Sequence, residues 1–195
     1  SLGDRAFLNC GRLLSVRLPD SLITLSLGTH SNLEYNHDRS RAFEGCTSLA
    51  SVVIGDGVTA LPKDAFKGCT SLRNVTIGSA VASWDGSAFE GSSAITTLTL
   101  RTPLVEAVFS HQTPFLPTYL SASASKVQHL TLGGKVTSIG KYAFLRAPGL
   151  ESVTMESSVT SIGESAFNQQ HVGGGKLRSV TIPDSVVSIA YAAFY

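Results

Sequence analysis

Apolar positions recur along this chain at a fixed spacing. The dipeptide Ala-Phe places its ring at Phe7, Phe43, Phe66, Phe89, Phe144, Phe167 and Phe194, at intervals of 36, 23, 23, 55, 23 and 27 residues. Three intervals are 23; the others are 23 plus 13, 23 plus 4, and two units with 9 extra residues. A second pattern runs in step with the first. Leu72, Val75 and Ile77 follow Phe66 by six, nine and eleven residues. Sets of the same internal spacing are Leu13/Val16/Leu18, Leu49/Val52/Ile54, Ile95/Leu98/Leu100, Val127/Leu130/Leu132, Leu150/Val153/Met155 and Leu177/Val180/Ile182. After each comes a turn, as in Leu18-Pro19-Asp20, Ile54-Gly55-Asp56 and Ile182-Pro183-Asp184, and then an apolar pair three residues apart: Leu22/Leu25, Val58/Leu61, Val81/Trp84, Val136/Ile139, Val159/Ile162 and Val186/Ile189.

The spacing predicts a coil. In a strand, side chains alternate, so the last two residues of each Leu-x-x-Val-x-Ile set share one face and the residues between them face away. Pro or Gly turns the chain, the second apolar pair returns it to the core, and Phe fills the interior from the far side. Phe-x-Gly-Cys, at Phe43-Glu44-Gly45-Cys46 and Phe66-Lys67-Gly68-Cys69, makes the last corner. One such unit has too few apolar side chains to offset the entropy of ordering its backbone. Stacked neighbours must bury both faces of each coil. The expected architecture is a β-rich solenoid of 23-residue repeats, with a parallel sheet on one face and short turns or 3-10 pieces on the other. It forms one domain over 1–195, interrupted by insertions at about 26–41, 101–126 and 168–176. The chain opens and stops inside a repeat and shows no polar capping repeat, so we expect a segment of a longer array.

The recurring unit resembles the BspA-type (Treponema-type) leucine-rich repeat, Ile-Gly-x-x-Ala-Phe-x-x-Cys-x-x-Leu-x-x-Val-x-Ile-Pro. It stands here as Leu2-Gly3-Asp4-Arg5-Ala6-Phe7-Leu8-Asn9-Cys10-Gly11-Arg12-Leu13-Leu14-Ser15-Val16-Arg17-Leu18-Pro19, and begins again at Ile162-Gly163-Glu164-Ser165-Ala166-Phe167. The match covers nearly the whole chain outside the insertions. The resemblance implies a leucine-rich-repeat solenoid of a kind found mostly on cell surfaces, where several members look like adhesins. It implies no catalytic residues, and so no enzyme. The expected role is therefore non-catalytic recognition of another protein or a surface glycan, by a cell-surface or secreted module. The alternative is a structural scaffold repeat within a larger, intracellular assembly.

Composition narrows the partners. With 43% hydrophobic and 15% charged residues the chain is too apolar for disorder. A formal net charge of +1 gives no basic field for nucleic acid, and no run of residues is apolar enough for a membrane span. No cofactor is expected.

Two surfaces are candidates for binding. Between the buried strand positions, Ser15, Arg17, Ser51, Val53, Asn74, Thr76, Thr97, Thr99, His129, Thr131, Ser152, Thr154, Ser179 and Thr181 should face solvent on the sheet. This band is polar, nearly uncharged and without aromatics. It suits hydrogen-bonded contact, although Ser and Thr are also simply tolerated on an exposed strand. A Thr ladder also suits ice or crystal surfaces, but a curved array interrupted by Arg17 and His129 argues against that. The insertions supply the second candidate, through Tyr35 and His37 in the first and Phe109, His111, Phe115 and Tyr119 in the second, since loops that interrupt a strict scaffold often carry function.

Other chemistry is weaker. His30, His37 and Asp38 match no zinc spacing, no Gly-x-Ser-x-Gly elbow occurs, and Gly173-Gly174-Gly175-Lys176 lacks phosphate-loop spacing. Cys10, Cys46 and Cys69 all follow a repeat Phe by three residues. We expect a column of free, buried thiols, with a disulfide between stacked neighbours as the alternative. Asn74-Val75-Thr76 is an N-glycosylation sequon on the expected sheet face.

Overall fold

A computed structural model describes residues 1–25, 40–107, 120, 126–170 and 175–195. The chain winds as a solenoid. Its main sheet has seven strands, numbered here in chain order: β1 (Ser15–Arg17), β2 (Ser51–Val53), β4 (Asn74–Ile77), β6 (Thr97–Leu100), β7 (His129–Leu132), β9 (Ser152–Met155) and β11 (Ser179–Thr181), adjacent in that order. Every pairing is parallel and in register, so each repeat position meets its own equivalent in the next coil, as Val52 meets Val75 and Leu98 meets Leu130. The expected solenoid with one long parallel sheet is therefore observed.

The opposite side is more regular than short turns alone. Two-residue strands β3 (Ala60–Leu61) and β5 (Ser83–Trp84) pair in parallel, as do β8 (Ser138–Ile139), β10 (Ser161–Ile162) and β12 (Ser188–Ile189). These are the second apolar pairs of the repeat. Where a third such strand would separate the two groups, the chain instead forms a 3-10 helix, Pro103–Glu106, started by Thr102, whose Oγ1 accepts from Leu104 N.

Phe rings form the spine of the core. Phe7, Phe43, Phe66 and Phe89 stack face to face with centroids 5.1, 5.1 and 5.2 Å apart, and Phe144, Phe167 and Phe194 do the same at 5.1 and 5.2 Å. Between Phe89 and Phe144 lies the second expected insertion. Of it the structure describes 101–107, 120 and 126. Val105 and Leu120 are buried in the same core, and Val105 O accepts from Gly140 N. Likewise Ser40 and Arg41, at the end of the first expected insertion, already hydrogen-bond to neighbouring coils, Ser40 N to Lys63 O and Arg41 N to Asp4 Oδ1.

The corners after Phe43, Phe66 and Phe89 explain the Gly-Cys signature. Gly45, Gly68 and Gly91 have φ of +72°, +69° and +75°, a left-handed turn that costs glycine nothing. The next residue points its donor across to the preceding coil. Cys46 Sγ donates to Phe7 O at 3.1 Å, Cys69 Sγ to Phe43 O at 3.2 Å, and Ser92 Oγ to Phe66 O at 2.7 Å. The element shared by these three corners is thus a small donor, thiol or hydroxyl, whereas Ala147 holds the same position after Phe144 without one. All three cysteines are free thiols. One expectation is corrected: Cys10 is exposed, while Cys46 and Cys69 are buried. Cys10 sits in the first coil, and no preceding coil covers it among the described residues.

Candidate recognition face

The sheet places two columns of side chains on its outer surface. One runs Ser15, Ser51, Asn74, Thr97, His129, Ser152, Ser179; the other runs Arg17, Val53, Thr76, Thr99, Thr131, Thr154, Thr181. Each side chain lies beside its equivalent because the strands pair without slippage; a one-residue slip would turn the buried Val and Leu outward. The structure thus brings all fourteen expected sheet-face residues together. None is buried: Ser15, Arg17, Asn74, His129, Thr154, Ser179 and Thr181 are exposed and the others half-exposed.

The face is almost neutral. Its ionisable side chains are Arg17, at the first strand, and His129, near the middle, where Nδ1 and Ser152 Oγ share a 2.9 Å hydrogen bond. Alongside the columns, Gln128 Nε2 donates to Glu151 Oε1 at 3.4 Å. Asn74 of the sequon is exposed between Ser51 and Thr97.

The insertion candidates have a different standing. Tyr35, His37, Phe109, His111, Phe115 and Tyr119 lie outside the described residues, as do His30 and Asp38. In the third expected insertion, Asn168 and Gln169 are buried and anchored, Arg146 N donating to Asn168 O and Gln169 N to Tyr195 O, whereas Gly175 and Lys176 are exposed.

Elsewhere the polar chemistry is committed to holding coils together. Glu106 Oε1 accepts from Thr137 N at 2.6 Å, Thr137 Oγ1 at 3.0 Å and Ser138 N at 3.3 Å, clamping the 3-10 helix to the next coil. Asp20 Oδ1 accepts from Asp56 N, and Asp56 Oδ1 from Ser79 N, at 2.9 and 2.8 Å. Sequence reasoning passed over both devices; the recurring Asp after the strand was their only visible sign. Burial pushes the Cys69 thiol up to about 12, with the neighbouring Cys46 adding to the rise, and burial also raises Cys46. At neutral pH both stay protonated, which suits hydrogen-bond donors and not nucleophiles. Among the described residues no three His, Cys, Asp or Glu side chains converge as a metal site.

The coil geometry matches a known family by sequence as well. The model of the BspA type leucine rich repeat region matches residues 39–172 and 117–195, with six copies. The chain belongs to the BspA-type leucine-rich repeat family. Solved structures similar to this BspA-type chain include the leucine-rich repeat protein of T. pallidum, 19% identical over 92% of this chain and 74% of that one, with a TM-score of 0.45. A leucine-rich repeat protein from Bacteroides ovatus is 19% identical over 96% of this chain and 53% of its own, with a TM-score of 0.39. A leucine rich cell surface protein from Faecalibacterium prausnitzii is 20% identical over 98% and 73%, with a TM-score of 0.30. No curated protein matches the chain. Among the described residues no helix is long and apolar enough to cross a membrane.

Proposed function

We propose that this BspA-type solenoid is a non-catalytic recognition module, and that its main sheet is the surface that meets a partner. The observation that carries the reading is the contrast between faces. Around the rest of the coil, the polar side chains of Glu106, Asp20, Asp56, Cys46, Cys69 and Ser92 are tied into coil-to-coil hydrogen bonds. On the sheet, polar side chains are aligned by register and, apart from the His129–Ser152 pair, make no side-chain hydrogen bond among the described residues. The partner is another protein or a surface glycan. Placement at a cell surface or in the secreted fraction rests on what the family resemblance implies.

The test is retention of partners from protein and polysaccharide fractions of cell surfaces. Three proteins are compared: wild type, the face variant Thr99→Arg/Thr131→Arg, and Ala82→Arg, an exposed change off the sheet. A partner held by wild type and Ala82→Arg but lost by the face variant supports the proposal. Equal retention by all three moves the contact away from the sheet.

A further inference from the structure

Five asparagines stand in the chain, and Asn74 alone heads an Asn-x-Ser/Thr triplet, Asn74-Val75-Thr76. The fold decides whether that triplet can carry a sugar. Asn74 opens β4, and strand alternation puts Asn74 and Thr76 on the outer face of the main sheet while Val75 is buried in the core. The Asn74 side chain is exposed and makes no hydrogen bond among the described residues. Its neighbours in register are Ser51 on β2 and Thr97 on β6, both small. A branched group on Asn74 Nδ2 therefore leaves toward solvent without displacing the core or a coil-to-coil side-chain contact.

The same strand limits when the group can be added. β4 is paired on both edges, in register with β2 and β6, and Asn74 N donates to Ala50 O at 3.1 Å. A transferase must hold the triplet apart from the rest of the chain. In the folded coil that would break ladder hydrogen bonds on both sides and pull Val75 out of the core. A strand paired on both edges opens only at a free energy close to that of global unfolding. The acceptor is therefore the chain before β4 joins the sheet, and the fold's part is to accommodate the product.

We propose that Asn74 is an N-glycan acceptor, modified on the unfolded chain in a secretory compartment that supplies a lipid-linked oligosaccharide. Asn74 Nδ2 forms a bond to C1 of the first sugar as the bond from C1 to the lipid pyrophosphate oxygen breaks. The amide loses one proton, and the lipid pyrophosphate leaves. The finished glycan stands on the outer face of β4, beside β2 and β6. The proposal goes beyond the sheet-face reading and does not depend on it, since it concerns what the chain carries and not what it binds.

The experiment is cell-free translation of the full chain, behind a cleavable signal sequence, with endoplasmic-reticulum microsomes. A C-terminal tag with its own Asn-x-Thr site reports entry into the lumen. Wild type is compared with Asn74→Gln and with Thr76→Val, which keeps strand propensity and removes the hydroxyl the transferase reads. We expect two glycans on wild type and the tag's glycan alone on either variant, all lost on digestion with peptide N-glycosidase. The purified folded chain, offered to solubilised transferase with the lipid-linked donor, should gain nothing at Asn74. Wild type with the tag's glycan alone, or Asn74→Gln that keeps both, would overturn the proposal. Modification of the folded chain as complete as that in microsomes would overturn the claim that addition precedes folding. Each of these outcomes leaves the sheet-face reading intact, because none of them measures a partner.

Discussion

Truncating one ring in the middle of the phenylalanine spine should cost far more than truncating one at its end. Phe66 is fully buried, with Phe43 stacked on one face at 5.1 Å and Phe89 on the other at 5.2 Å. Phe→Ala at a core site costs about 3–5 kcal/mol, and the cost is greatest where the surroundings cannot close over the cavity. They cannot here. Phe43 N donates to Ala65 O at 2.9 Å and Phe66 N to Ala88 O at 2.8 Å, so the backbones that carry the neighbouring rings are fixed by the stack. Two aromatic contacts are lost as well, each worth about 0.5–1.5 kcal/mol, partly counted in the first figure. We therefore expect about 4–5 kcal/mol for Phe66→Ala. Phe7 is half-buried with one ring partner, so Phe7→Ala should cost about half as much. Urea unfolding followed by fluorescence reports the difference directly, because Trp84, the single tryptophan, is buried and meets Phe89 edge-on at 5.6 Å. A Phe66→Ala loss below about 1.5 kcal/mol, or one no larger than that of Phe7→Ala, would refute a rigid ring column as the source of stability.

Other consequences follow from the corners and turns. A thiol reagent at neutral pH should label Cys10 rapidly in the folded protein and Cys46 and Cys69 only after denaturation; three equally fast thiols would contradict the buried corners. Because the folded Cys69 thiol is raised to about 12 from an unfolded value near 9, its contribution is complete below the unfolded value and is lost as pH climbs toward 12. Urea titrations should therefore show stability falling over that alkaline range. The fall should be shallower in Cys69→Ser, which installs the donor already used at Ser92; an identical slope in both proteins would remove Cys69 from the explanation. A Cβ at Gly78 would run into the carbonyl oxygen of Gly55 in the preceding coil, so Gly78→Ala should cost about 1–3 kcal/mol by overpacking, measurable in the same titration.

Much of this architecture was legible because its period is written in large side chains. Phe43, Phe66 and Phe89, with Leu49/Val52/Ile54 and its equivalents, fixed the coil length, the sheet and its outward residues, since strand alternation leaves no other face for Thr97 and Thr99. Three features were not legible, each for a physical reason. The second ladder depends on pairs such as Ser138–Ile139, too short to announce a strand without a neighbour to pair with. Left-handed corners were signalled by Gly45 and Gly68, but Asn9 and Arg146 hold the same position with φ of 57° and 56°, where the stack imposes the conformation. Burial of Cys46 but not Cys10 depends on which coils have neighbours, information that one repeat does not carry. The proposed site was legible as a set of positions. What the sequence could not tell apart was Thr160, whose hydroxyl is bonded to Thr137 O, from Thr154, whose hydroxyl is free for a partner among the described residues.

The most direct test of the central claim is an arginine scan along the sheet, one substitution per strand at Val53, Thr76, Thr99, Thr131, Thr154 and Thr181, with partner binding and urea stability measured for each. The account predicts that binding falls most at the central positions Thr99 and Thr131 and recovers toward the ends, while stability changes less than binding because none of the six sites is buried. A flat binding profile, or one that follows stability instead of position, would contradict the sheet as the recognition face.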